Sequence, residues 1–175
     1  MKTYVQNSLE DDKYKLAIQY EKLDLQKIKD LAMSSYIVKY EIPAKQSLNC
    51  TWILRLHFNN EASIEISALC TNIGGWQEMG SLKIRLCDTS SSLKKNENLF
   101  ITKNIEKFCS SKLSLITFND ESVYAECGII FSNDVGGELI VATSPAPGAV
   151  TVRIPSEVNE FQPEILLSDC QKVIL

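Results

Sequence analysis

The chain has 175 residues, of which 45% are hydrophobic, 23% charged and 8% aromatic, a balance that excludes a collagen-like fibre, a coiled coil and a disordered tail. Eighteen Lys and Arg stand against 22 Asp and Glu, giving a net charge of −4. That charge argues against general nucleic-acid binding, which needs a basic face for phosphate, and suits a basic protein partner.

A single domain over residues 1–175 is expected, because a chain this long buries roughly 70% of its unfolded surface without a disulfide or metal. Residues 1–12 are polar. Residues 14–20 alternate, with Tyr14, Leu16, Ile18 and Tyr20 on one side, and predict one strand. Asp24 can cap a helix whose apolar stripe is Leu25, Ile28, Leu31 and Ala32, ending near Ser34. Residues 36–42 are β-branched and aromatic and stop at Pro43. Residues 50–58 alternate again, with Trp52, Leu54, Leu56 and Phe58 opposite Thr51, Ile53, Arg55 and His57. Residues 63–70 follow as the hairpin partner.

Residues 72–80 contain Gly74, Gly75 and Gly80 and predict a loop that carries Trp76. A strand over Leu82, Ile84 and Leu86 leads to a polar linker at 88–96. Residues 97–110 predict a second helix, with Leu99, Ile101, Ile105 and Phe108 near one face. Strands at 113–118, 123–132, 138–143 and 150–154 complete the pattern, with Gly128 marking a bulge and a short tail strand at the C-terminus. Hairpin-linked strands outnumber helices without βαβ alternation. The expected fold class is therefore α+β, mostly antiparallel sheet with one or two helices packed on one face.

The six cysteines include no C-x-x-C pair, which disfavours a structural zinc. The N-terminal stretch lacks an apolar core typical of a secretory signal, so free thiols in a cytoplasmic protein are expected, with no membrane span. His57 is the only histidine, and no G-x-S-x-G elbow or phosphate-loop glycine pattern is present. No catalytic set, cofactor site or metal site is therefore assigned. Trp76 is the main candidate anchor, because an aromatic on a glycine-rich loop can fill a partner's pocket. The competing reading folds it back as a plug over the sheet.

The run from Phe131 to Ala142, Pro145-x-Pro147, Val150-Thr-Val152 and Phe161-Gln-Pro-Glu164 resembles small bacterial proteins of unassigned function. In size, acidity and missing chemistry the chain is also similar to the immunity proteins of bacterial toxin–immunity pairs. That analogy implies a non-catalytic protein-binding module that covers a basic toxin domain, with Trp76, Glu78, Asp120, Glu121 and Asp134 as contacts. The alternative is a small-molecule-binding or enzymatic β-rich domain whose apolar pocket is oriented by His57, Arg55, Arg85 and Glu65. A homo-oligomer built on an edge strand, such as 150–154, is a third expectation.

Overall fold

The computed structural model describes residues 8–10, 12–87 and 99–175. In chain order the strands are β1 (Ser8–Glu10), β2 (Lys13–Leu16), β3 (Gln19–Glu21), β4 (Ile37–Pro43), β5 (Leu54–Phe58), β6 (Ser63–Gly74), β7 (Gln77–Leu86), β8 (Phe100–Phe108), β9 (Lys112–Asn119), β10 (Val123–Ser132), β11 (Glu138–Thr143), β12 (Val150–Arg153) and β13 (Gln171–Ile174). Among the described residues one α-helix, α1 (Leu25–Ser34), lies between β3 and β4, and one 3-10 turn covers Leu167–Asp169. The polar linker expected at 88–96 lies outside the described residues.

The strands form two sheets. In the first, β13 pairs β9, β9 pairs β10, and the other edge of β10 is shared. Its start pairs β2, which holds β1, and its end pairs β11, which holds β12. The second sheet runs β3-β7-β6-β5-β4-β8. All pairings are antiparallel except β2 with β10 and β3 with β7.

The inner faces meet in one core. Tyr40, Leu54, Leu56, Ile64, Ile66, Leu82 and Ile84 come from the second sheet, and Leu113, Ile129, Phe131, Leu139, Val141 and Val152 from the first. The alternation of these positions along their strands makes the sandwich, since side chains two apart point to the same face of a sheet. Helix α1 starts as its sequence dictates: the Asp24 carboxylate accepts from Lys27 N–H at 2.8 Å, and Ile28 and Ala32 enter the core. The outer face of the first sheet is also apolar. Ile116, Cys127, Ile130, Ile140 and Ala142 are covered by Phe161, Ile165, Leu167 and Cys170 of the C-terminal segment.

The expected α+β class is therefore corrected to a two-sheet, mostly β architecture, with α1 the one α-helix among the described residues. The main reason is the helix expected over residues 97–110, of which Phe100–Phe108 form strand β8. A bulge against β4 sets Ile37 opposite Phe108 and Lys39 opposite Asn104. The residues left over on β8 let Ile105 and Phe108 both turn inward, a spacing of three that imitates one face of a helix. The strand expected over 14–20 is two strands in two sheets, broken where Ile18 N–H donates to Glu126 Oε2 at 2.7 Å. The loop expected over 72–80 is the ribbon end of β6 and β7. Trp52, expected inward beside Leu54, is 64% exposed because β5 begins only at Leu54. The bulge at Gly128 is present: Cys127 is the extra residue between Glu126 and Gly128. Among the described residues no helix is long and apolar enough to cross a membrane.

Candidate functional site

Strands β6 and β7 pair from Ile64 with Leu86 out to Gly74 with Gln77. That leaves Gly75 and Trp76 as the two central residues of a tight hairpin turn. Both have positive φ, +58° and +68°. Such turns match the right-handed twist of the flanking strands and favour Gly or Asn at both positions. A tryptophan there is an outlier, since a bulky side chain in the left-handed region costs roughly 1–3 kcal/mol. Its side chain is 98% exposed, so packing does not recover that cost. The plug reading of Trp76 is thereby excluded. The plug is made instead by Ile73 and Met79, which pack with Tyr14, Leu16, Val123 and Ala125 and fix the ribbon against the first sheet.

Below the turn, a cavity of about 280 Å³ opens between the ribbon and the β11–β12 connection. Trp76, Glu78, Gly80, Pro145 and Glu164 are among its lining residues. Glu164 is seated by two strands at once, β7 and β11. Its N–H donates to Thr143 O at 2.8 Å, and its carboxylate accepts from Gly80 N–H at 3.0 and 3.2 Å. A Cβ on Gly80 would lie 2.6 Å from Glu164 Oε2 and 2.8 Å from Thr143 Cβ, so only glycine leaves room for the carboxylate. Burial pushes the Glu164 carboxyl above its usual range, against the bonds from Thr143 and Gly80. Cys70 Sγ donates to Glu78 Oε2 at 3.2 Å, and burial with that carboxylate pushes the thiol up to about 11. A thiol held protonated in this way is a poor nucleophile.

The residues expected to form one contact surface are divided by the fold. Trp76 and Glu78 sit on the β6–β7 ribbon, and Asp120 and Glu121 lie in the turn before β10, at the end where the ribbon packs on Val123. Asp134 lies in the turn after β10. Ten residues of strand separate the two turns, about 30 Å at ~3.3 Å per residue, so Asp134 belongs to the opposite end. Asp120 also has a structural task. Its Oδ1 accepts from Ser122 N–H and Val123 N–H, both at 2.8 Å, and the Val123 bond above all holds its pKa below the usual range. Glu164 was not singled out in the sequence. Its partner Gly80 is 84 positions away, and no local pattern links them.

His57, Arg55, Arg85 and Glu65, expected around an apolar pocket, do come together, but on the outer face of the second sheet. Glu65 is 8% exposed and lies between the two arginines, 3.0 Å from Arg55 Nε and 2.6 Å from Arg85 Nη2. Arg55 also stacks over Phe100, 4.1 Å from the ring centre. His57 Nδ1 is 2.7 Å from Ser63 Oγ, and its Nε2 is 3.3 Å from Glu41 Oε1 without the alignment of a hydrogen bond. Burial keeps His57 below its ordinary pKa, with Lys39 and Arg55 adding to that and Glu41 opposing it. These groups satisfy one another across strands, as a ladder that ties the sheet together, and they line neither cavity described in this section. The second cavity, of about 500 Å³, lies between Tyr40, Lys103, Glu157 and Asn159.

Among the described residues no group of three or more His, Cys, Asp and Glu is arranged to hold a metal ion. No protein-family model, no curated protein and no solved structure matches the chain.

Proposed function

We propose that the chain is a non-catalytic protein-binding module of the immunity type, which covers a basic toxin domain and excludes its substrate. The observation that carries this reading is Trp76: a fully exposed indole held on a backbone conformation that disfavours it. Strain retained where it brings no packing points to a role outside the fold. Tryptophan is also among the residues most often found at the centre of a binding surface. Glu78, Glu121 and Glu164 lie at the same end and supply negative charge, which speeds encounter with a basic partner. Asp134 is left out of this surface.

The test is native mass spectrometry of the tagged chain isolated from its own cells. A stoichiometric basic protein, lost from the Trp76→Ala variant, is the expected result. A lone chain, or a homo-oligomer with nothing else bound, would overturn the reading.

The second reading, a small-molecule-binding or enzymatic domain, draws on the cavity beside Tyr40. Its volume of about 500 Å³ falls within the ~300–1,000 Å³ of ligand sites, and the Tyr40 hydroxyl donates to Glu157 Oε1 at 3.2 Å on its wall. A small extra mass retained on the purified chain would favour this reading over the first.

A further inference from the structure

The cavity beneath Trp76 has a one-sided lining. Its titratable side chains are Cys70, Glu78 and Glu164, and it has no lysine or arginine. Among the described residues neither Glu78 nor Glu164 has an ion-pair partner. Glu164 is the more informative of the two. It is half-buried, clamped by Gly80 N–H, and raised in pKa by burial. A carboxylate that is desolvated, rigidly held and without a counter-charge is stabilised by any cation that can reach it.

The remaining walls suit an organic cation rather than a hydrated metal ion. Trp76 stands at the rim, and an indole face is the best aromatic surface for a cation. Pro145 and Pro147 form a wall that needs no ordering when a ligand enters. At about 280 Å³ the cavity lies just below the ~300 Å³ lower end for drug-sized ligands, which fits a single side chain.

We propose that this cavity receives one basic side chain of the protein partner, an arginine or a lysine, with its charged head between Glu164 and Glu78 and its stem against Trp76 and Pro145. The proposal rests on the protein-binding reading and gives it a chemical key. The partner inserts a cation under the hairpin tip while Trp76 closes over its stem.

The experiment is an NMR titration of the isotopically labelled full chain with Nα-acetyl-arginine amide and Nα-acetyl-lysine amide, followed at the Gly80, Thr143 and Ala149 amides. Saturable shifts at millimolar concentration with at least one cation are expected, and none with the neutral Nα-acetyl-citrulline amide. Glu164→Gln keeps an oxygen acceptor for Gly80 N–H and removes the charge, so affinity falls at least tenfold with the melting temperature maintained or raised. Glu78→Gln separates the contribution of the second carboxylate. Binding by the wild type weakens as pH falls through the raised Glu164 titration. The groups facing that carboxyl are Glu78 on β7, Cys70 on β6 and Cys127 on β10, and both thiols are held protonated there by burial.

Equal shifts with the citrulline probe, or undiminished binding by Glu164→Gln, would overturn the proposal. Failure of the underlying reading looks different. In that case the cation probes bind but no protein is retained through Trp76. Conversely, a partner retained through Trp76 and indifferent to Glu164→Gln would sink the cavity proposal alone.

Discussion

Trp76 occupies a backbone position that glycine would take without strain, and its side chain touches almost nothing. Trp76→Gly should therefore stabilise the fold, by about 1 kcal/mol after the entropic cost of an added glycine. The same change should abolish partner binding. Chemical denaturation read beside the binding assay checks both effects, and a destabilised Trp76→Gly variant would show that the indole packs in solution. His57 provides a second test. Its folded pKa is depressed, so its contribution to stability is present above about pH 6.5 and is lost as pH falls through the folded value. Glu164 has the opposite sign: its folded pKa is raised, so its contribution is fully present below the ordinary carboxylate range and is lost as pH rises through the raised value. Thermal melts at pH 7.5 and 5.5 should show a smaller acid loss for His57→Gln than for wild type, provided Gln keeps a bond to Ser63. Identical losses would mean that His57 is solvated.

Among elements, the β10–β11 hairpin and helix α1 are the most legible in the sequence and strand β8 the least. Residues 123–132 and 138–143 flank the turn residues 133–137, and β10 and β11 pair across that turn. The helix α1 was legible from its cap and stripe. Strand β8 was not, because its bulge rewrites the period that a sequence reader relies on. The β6–β7 ribbon was hidden for another reason: glycine and asparagine near its tip read as a loop, yet three consecutive positive-φ residues, Gly74, Gly75 and Trp76, turn the chain sharply. The candidate site inherits these limits. Trp76 and Glu78 were legible as candidates because they stand together in one short stretch of sequence, 72–80. Glu164 was not, because a distant segment brings it in. Gly80→Ala tests that junction. Its new Cβ collides with the Glu164 carboxylate and with Thr143, so a loss of about 1–3 kcal/mol is expected, together with release of the cavity wall. Denaturant melts and the Gly80-region amide shifts would read both, and an unchanged melt would mean that the C-terminal segment yields freely.

At the scale of the molecule, the outer faces of the two sheets solve different problems. One is a ladder of charge, Glu65 held between Arg55 and Arg85, and water can cover it. The other is apolar and needs the C-terminal segment as a third layer. Phe161→Ala removes part of that cover, and an aromatic lost from a half-buried site should cost about 2 kcal/mol, less than the ~3–5 of a full core position. Denaturation with a hydrophobic dye present would check it, since the uncovered face should bind dye before the sandwich core unfolds. The two parallel pairings also set an order of assembly. Among the described residues β2 pairs with β1, its own neighbour, and with β10, so Tyr14 meets Val123 across most of the chain. Contacts of this kind make refolding slow, on the order of milliseconds to seconds for sheet proteins. On a ribosome the consequence is sharper. The β1–β2 hairpin leaves the exit tunnel long before β10 is made, and it emerges with no sheet to join. A nascent chain stalled after β7 would hold the second sheet without β8 and an orphan β1–β2 hairpin, a natural client for a chaperone. Synthesis speed, rather than final stability, would then decide how much of the protein is recovered.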